Sequence, residues 1–292
     1  MSTHEHSGPG YASPEVARRQ EREKLIYVAC LYEGTGIEKP DFIAVVDVDP
    51  ASSSYGQIVG RTDMPNVGDE LHHFGFNACS SACHSQLSRD TLIVPGFRSS
   101  RLHIIDISEP RSPRIKNVIE GEEVREKLGL SAPHTVHCMP GDIVTISMLG
   151  DADGNAPGGF AMLDARDFSI AGRWESEPAD VEFMYDFWYQ PRQHTLVSSE
   201  WGAPNTFQDG FNPADVAAGK YGRRLHFWDL EQRRQVQKLD LGDDGWIPLE
   251  LRWQHNPDSA QGFVGVTLSS TVKRFHRDNG SWSADTVIDV PN

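Results

Sequence analysis

The sequence predicts an all-β protein, a β-propeller, and three observations carry that expectation. From Leu25 onward, short apolar runs alternate with turns bearing Gly, Pro and Asp. An apolar strand with an Asp near its end recurs as Ala44-Val-Val-Asp47-Val, His103-Ile-Ile-Asp106-Ile, Ala161-Met-Leu-Asp164-Ala and His226-Phe-Trp-Asp229-Leu. Those aspartates lie 59, 58 and 65 residues apart. Around each lie further strands, so one unit of several strands repeats, and each unit reads as one blade. A β-sandwich with accidental spacing is the competing fold.

The elements follow in order. Residues 1–24 are a polar N-terminal arm, with 14–24 a short charged helix or an extended lead-in. Residues 25–292 form one propeller domain of about five blade units. Ahead of each Asp strand stands a second apolar strand, at 26–31, 91–97, 142–149 and 194–201. A fifth, 262–268, is followed by Thr271-Val-Lys-Arg-Phe275 in place of an Asp strand. More polar outer strands come next, such as Arg114-Ile-Lys-Asn-Val118 and Gln235-Val-Gln-Lys-Leu239. Segments 70–78, 132–138, 182–190 and 248–255 are left as the innermost strands, lining a central channel. The first unit lacks one. Five units with an open edge would expose unpaired backbone groups, so closure is expected from further C-terminal blades or from an oligomer.

Composition excludes several classes. A formal net charge of −15 with no run of Lys or Arg argues against nucleic acid or an anionic membrane as partner. No stretch approaches 18 apolar residues, so no membrane span is expected. The first residues lack the apolar core of a signal peptide, and a cytoplasmic protein is the expectation. Four cysteines in 292 residues are not a disulfide scaffold; they read as thiols or ligands. Cys30, inside a strand, reads as core.

The chemistry concentrates in residues 69–84, which hold three of the twelve histidines and two of the four cysteines. The inner segments carry most other donors: Glu70, His72 and His73; His134, His137 and Cys138; Tyr185 and Asp186; Glu250 and His255. On strands lining one channel these would converge. Imidazole with thiolate suits copper or zinc; imidazole alone also suits iron or nickel, and only a redox-active ion supports oxidation. His72 and His73 are adjacent, so a regular strand would point them to opposite sides and a loop or bulge is needed to bring both inward. His134 and His137 also face opposite ways on a strand, though one way on a helical turn. For each histidine alone, a structural hydrogen bond is the commoner role. Cys79 and Cys83 are one helical turn apart, either reactive thiols or small buried hydrophobes. Asp151-Ala-Asp153-Gly-Asn155 starts like a calcium loop, but Met162 stands where the twelfth-position acid belongs.

Four stretches bring a known family into view. Asp69-Glu-Leu-His-His-Phe-Gly-Phe-Asn-Ala-Cys-Ser-Ser81, Tyr185-Asp-Phe-Trp-Tyr-Gln-Pro-Arg192, Asp209-Gly-Phe-Asn-Pro-Ala-Asp-Val216 and His255-Asn-Pro-Asp258 with Gln261-Gly-Phe-Val-Gly265 resemble segments of selenium-binding proteins, the family that includes methanethiol oxidases. The likeness runs from about Gly8 to Asn292. It implies a seven-bladed propeller and an oxidase that turns methanethiol, O2 and water into formaldehyde, hydrogen sulfide and hydrogen peroxide, with copper in bacterial members. It implies copper ligands at His72, His73 and the 133–137 segment, where His134 and His137 are both candidates. Cys79 and Cys83 are the candidate catalytic thiols, for substrate exchange, redox relay or selenium capture. Three departures stand out. Family members are typically longer. Gly56 follows Tyr55 where animal members have a cysteine, and Cys79 to Cys83 is wider than their Cys-Ser-Ser-Cys. Two functions follow as expectations: a copper-dependent thiol oxidase, or a non-catalytic propeller module that binds selenium or metal.

Overall fold

The computed structural model describes Tyr11, residues 14–78 and residues 85–291. Nineteen strands form five antiparallel sheets there. The first holds β1 (Leu25–Cys30), β2 (Phe42–Asp47) and β3 (Ile58–Asp63). The second holds β4 (Gly75–Phe76), β5 (Thr91–Pro95), β6 (Leu102–Asp106) and β7 (Arg114–Ile119). The third holds β8 (Leu130–Met139), β9 (Ile143–Asp151), β10 (Gly159–Asp164) and β11 (Ile170–Arg173). The fourth holds β12 (Phe187–Gln190), β13 (Thr195–Ser199), β14 (Arg224–Asp229) and β15 (Arg234–Asp240). The fifth holds β16 (Pro248–Trp253), β17 (Gln261–Val266), β18 (Thr271–Asp278) and β19 (Ser281–Asp289). Every sheet is an up-and-down meander in chain order, the form of a propeller blade. Among the described residues the first sheet has three strands, β1 to β3.

The repeated aspartate has a local cause. Oδ1 of Asp47, Asp106, Asp164 and Asp229 accepts the backbone N–H two residues on, at 3.0, 2.8, 2.8 and 3.0 Å. This Asx turn starts the hairpin into the outer strand. In all five sheets that hairpin carries a register shift, between Val45 and Val46, Ile104 and Ile105, Met162 and Leu163, Phe227 and Trp228, and Val272 and Lys273. A bulge there increases the twist of each blade. The fifth sheet keeps the bulge without the aspartate.

The core lies between sheets. Ile43 packs with Leu92 and Ile105, joining the first and second. Ile104 and Leu130 pack with Val144 and Leu163, joining the second and third. Phe160 and Trp174 meet Phe187 and Trp228 across the third and fourth. Phe227 meets Phe275 and Trp282 across the fourth and fifth. Innermost strands are neighbours in pairs, β4 beside β8 and β12 beside β16.

Some expectations change. Of 14–24, only α1 (Pro14–Ala17) is helical. Helix α2 (Gly121–Leu128) was not expected; it buries Val124 and Leu128 and ends on Gly129 at φ 65°. Two short helices, α3 (Pro204–Phe207) and α4 (Pro213–Ala217), lie between β13 and β14. Cys30 ends β1 half-buried rather than in the core. Among the described residues no helix is long and apolar enough to cross a membrane.

Candidate metal centre

Two local departures from strand geometry build the centre. Ahead of β4, Leu71 makes a single bridge to Gly96, and its N–H donates to Asp41 Oδ2 at 3.1 Å. Glu70 before it sits at φ 55°. Residues 72–74 therefore lie outside any ladder, and the adjacent His72 and His73 escape the strand's alternation. On β8, Pro133 pairs with Met148 and Val136 with Ile146, so three steps on β8 face two on β9. The bulge re-aims the residue it carries, and His134 turns fully inward with no exposed surface. The His73 and His134 ring centres are 4.2 Å apart, His72 and His134 5.4 Å, and His72 and His73 6.4 Å.

Each of the three rings has a carboxylate behind it. His72 Nε2 lies 3.9 Å from Glu70 Oε1, and His73 Nε2 lies 3.3 Å from Glu250 Oε1. His134 reaches its carboxylate through a hydroxyl. Its Nδ1 is 3.0 Å from Thr135 Oγ1, which donates to Asp186 Oδ1 at 2.9 Å. Asp186 also accepts from the Phe187 and Leu251 N–H groups at 2.9 and 2.7 Å. A threonine hydroxyl has one proton. With Asp186 ionised and that proton directed to it, Thr135 can only accept from His134, so His134 carries its proton on Nδ1 and presents a lone pair at Nε2.

That Nε2 is buried and, among the described residues, has no hydrogen-bond partner; neither has His72 Nδ1. Burial, then the neighbouring His73 and His72, holds His134 well below the usual imidazole range. Burial also lowers His72 against the pull of Glu70, and His73 against that of Glu250. Neutral imidazoles with one nitrogen backed by a carboxylate and the other bare suit a borderline cation such as copper or zinc. The donor chemistry fits. The spacing is tighter than a chelate: the rings lie against one another, and among the described residues no three His, Cys, Asp or Glu are arranged around a common point.

The other candidates lie elsewhere. The His137 ring packs on Trp188 at 4.4 Å and near Phe187 and Tyr189, away from the three. The Cys138 carbonyl accepts from the Tyr189 hydroxyl at 2.6 Å. His255 meets Arg18 at 3.0 Å. Cys79 and Cys83 lie outside the described residues. The sequence reading missed Thr135, although it stands between the two candidate histidines. It named Tyr185 but missed the other aromatic residues of the wall beside the rings. Phe97 faces His72 at 5.5 Å, Tyr185 faces His134 at 4.2 Å, and Trp201 and Phe207 stack at 3.7 Å behind them. Burial, then Glu250 and Asp186, pushes the Tyr185 phenol up, so it stays protonated. His103 and His226, three residues before their strand-end aspartates, are structural. His103 binds Asp69 and the Val94 carbonyl, and His226 binds Glu200 and Gln235.

A family model described as 56 kDa selenium binding protein matches residues 5–292. Among curated relatives, methanethiol oxidase of Xenopus laevis is 51% identical over 289 residues, covering 98% of this chain and 61% of the relative. Methanethiol oxidase of Homo sapiens is 50% identical over 287 residues, covering 97% and 61%. A solved hypothetical selenium-binding protein from Sulfolobus tokodaii superposes with a TM-score of 0.92 at 46% identity, over 96% of this chain and 64% of that one. The β-propeller domain of Cps50 from Myceliophteria thermophila, at 8% identity and a TM-score of 0.53 over 91% of this chain and 75% of that one, shares the fold alone. The chain thus spans 61% of the length of these curated relatives. With its five propeller blades and a match over nearly all its residues, this chain belongs to the 56 kDa selenium-binding protein family.

Proposed function

We propose that this chain carries the metal centre of a methanethiol oxidase, with copper held by His72, His73 and His134. The reaction takes methanethiol, O2 and water to formaldehyde, hydrogen sulfide and hydrogen peroxide; the carbon loses two electrons and O2 gains them. Copper would supply the electron transfer between thiol and O2. The chain's own residues prepare the place. Thr135 and Asp186 keep the His134 proton on Nδ1. Glu70 and Glu250 stand behind the other two rings. Phe97, Tyr185, Trp201 and Phe207 offer an apolar wall beside the rings, suited by its chemistry to a methyl group.

One observation carries the reading: the buried, unpartnered Nε2 of His134, whose tautomer a threonine–carboxylate relay fixes. The names of the relatives support the substrate. The test is to purify the chain, measure bound copper, and assay hydrogen sulfide and peroxide from methanethiol. Copper near one per chain, lost in His72→Ala and in His134→Ala, is expected. Unchanged copper in both variants refutes the ligand set. Copper without product leaves the chain a metal-binding propeller module and removes the oxidase reading for it.

A further inference from the structure

The structure also singles out a residue that aims one of the three rings. Arg252 follows Glu250 by two on β16, just past the register shift between Pro248 and Leu251. Its Nη2 donates to Glu250 Oε2 at 2.9 Å and its Nη1 to Asp186 Oδ2 at 3.2 Å. Its guanidinium carbon lies 4.7 Å from the centre of the Trp188 ring. The two carboxylates differ in how they are held. Asp186 is 1% exposed and is fixed by two backbone N–H groups and the Thr135 hydroxyl. The Glu250 side chain is 42% exposed, and among the described residues its polar partners are Arg252 and His73 alone. A long, half-exposed side chain keeps its rotamer freedom unless something holds it. A planar guanidinium fork is suited to that, and stacking on an indole sets its plane.

We propose that Arg252 is the positioning residue for His73: it ties Glu250 to the fixed Asp186, so that Glu250 accepts from the His73 Nε2–H and leaves the Nδ1 lone pair to face the centre. The inference rests on the reading of His73 as a metal donor. Arg252 touches neither the ring nor the proposed metal; it acts through Glu250.

Nitrogen NMR of the imidazoles in the metal-free chain tests it, alongside copper affinity. In the wild type, His73 is expected to carry its proton on Nε2 and His134 on Nδ1. In Arg252→Met, His73 loses its fixed tautomer and copper affinity falls about 10–100-fold. His134 keeps its own, because Thr135 and the backbone donors to Asp186 remain, and it reports that the fold is intact. Glu250→Ala reproduces the His73 change, and the double variant goes no further than either single one. Arg252→Lys, a point charge without the fork, behaves like the methionine variant. An unchanged His73 in folded Arg252→Met, or full rescue by lysine, overturns the proposal. So does a joint change at His73 and His134, which marks a purely structural role. If the wild type binds no copper, the metal reading fails while the tautomer comparison still decides the part of Arg252.

Discussion

At the scale of single residues, the centre turns on which nitrogen of His134 holds a proton. Thr135→Val keeps the shape of the side chain and removes the hydroxyl. His134 Nδ1 and Asp186 Oδ1 would each lose a partner, and both residues are buried. A buried polar group left unpaired costs about 1–3 kcal/mol, and losing the group that orients a metal-binding imidazole costs about 10–100-fold in metal affinity. Denaturant unfolding and copper competition should show both losses, with Thr135→Ser restoring them; wild-type copper affinity in the valine variant would remove the relay from the argument. Proton linkage gives a second prediction. Burial and the nearby Glu250 push the Asp186 carboxyl up to about 7, from 3.8. Between those values the folded state of the metal-free chain binds the extra proton, so this group's contribution to stability falls as pH rises and is gone above about pH 7. The lowered histidines act oppositely. Below pH 6.5 the unfolded chain binds more protons, so stability falls as pH drops. The two trends offset each other in the wild type. Asp186→Asn should remove one of them, so its stability rises more steeply from pH 5 to 6.5, by up to about 1.4 kcal/mol per pH unit. Parallel curves for the two proteins would contradict the raised carboxyl.

At the scale of elements, the strands were legible because their signals are local. Alternation and the Asx turn need only a few neighbouring residues, and the four strand-end aspartates mark equivalent hairpins in the sequence itself. The inner segments were legible as segments and not as geometry. Regular alternation sends His72 and His73 apart, whereas the chain at Glu70 to Phe74 leaves the ladder. Spacing alone could not choose between His134 and His137; the extra residue between Pro133 and Val136 did so by turning His134 inward. Helix α2 carried readable signs, Val124 and Leu128 four apart and Gly129 as a stop, but eight residues are few for a periodicity. The closeness of β4 to β8 yields a prediction of its own. A Cβ on Gly75 would stand 2.5 Å from the Val136 carbonyl oxygen, which is backbone and cannot swing aside. Gly75→Ala should cost about 1–3 kcal/mol of stability and part β4 from β8, weakening copper binding because His73 and His134 flank that contact. Gly265→Ala, where a Cβ meets nothing within 4 Å, serves as the control and should be neutral or stabilising by up to about 1 kcal/mol. Equal effects from the two substitutions would dissociate the centre from this contact.

At the scale of the whole molecule, each blade packs on its sequence neighbours, so stability is built largely from adjacent interfaces. The candidate centre cuts across that order. His72 and His73 enter the second sheet and His134 lies on the third. Asp186 precedes the fourth, and Glu250 lies on the fifth. The repeat was visible in the sequence because each unit spells out its own turns. The convergence was not, because it depends on how far each blade is rotated against the next, a property of packed side chains. A cation held by donors from separate blades should therefore act as a cross-link that exists only in the folded array. Binding confined to the folded state stabilises by about 2.7 kcal/mol when free ligand stands at about 100 times Kd. For a chain of this size that corresponds to roughly 5 °C in Tm. Thermal unfolding in chelator-buffered copper should show that rise in the wild type and none in His134→Ala, since removing the central ring leaves His72 and His73 without a donor from the neighbouring blade. The same rise in both proteins would mean that copper sits elsewhere on the surface, and no rise in a copper-loaded wild type would mean that the blades are not joined through these histidines.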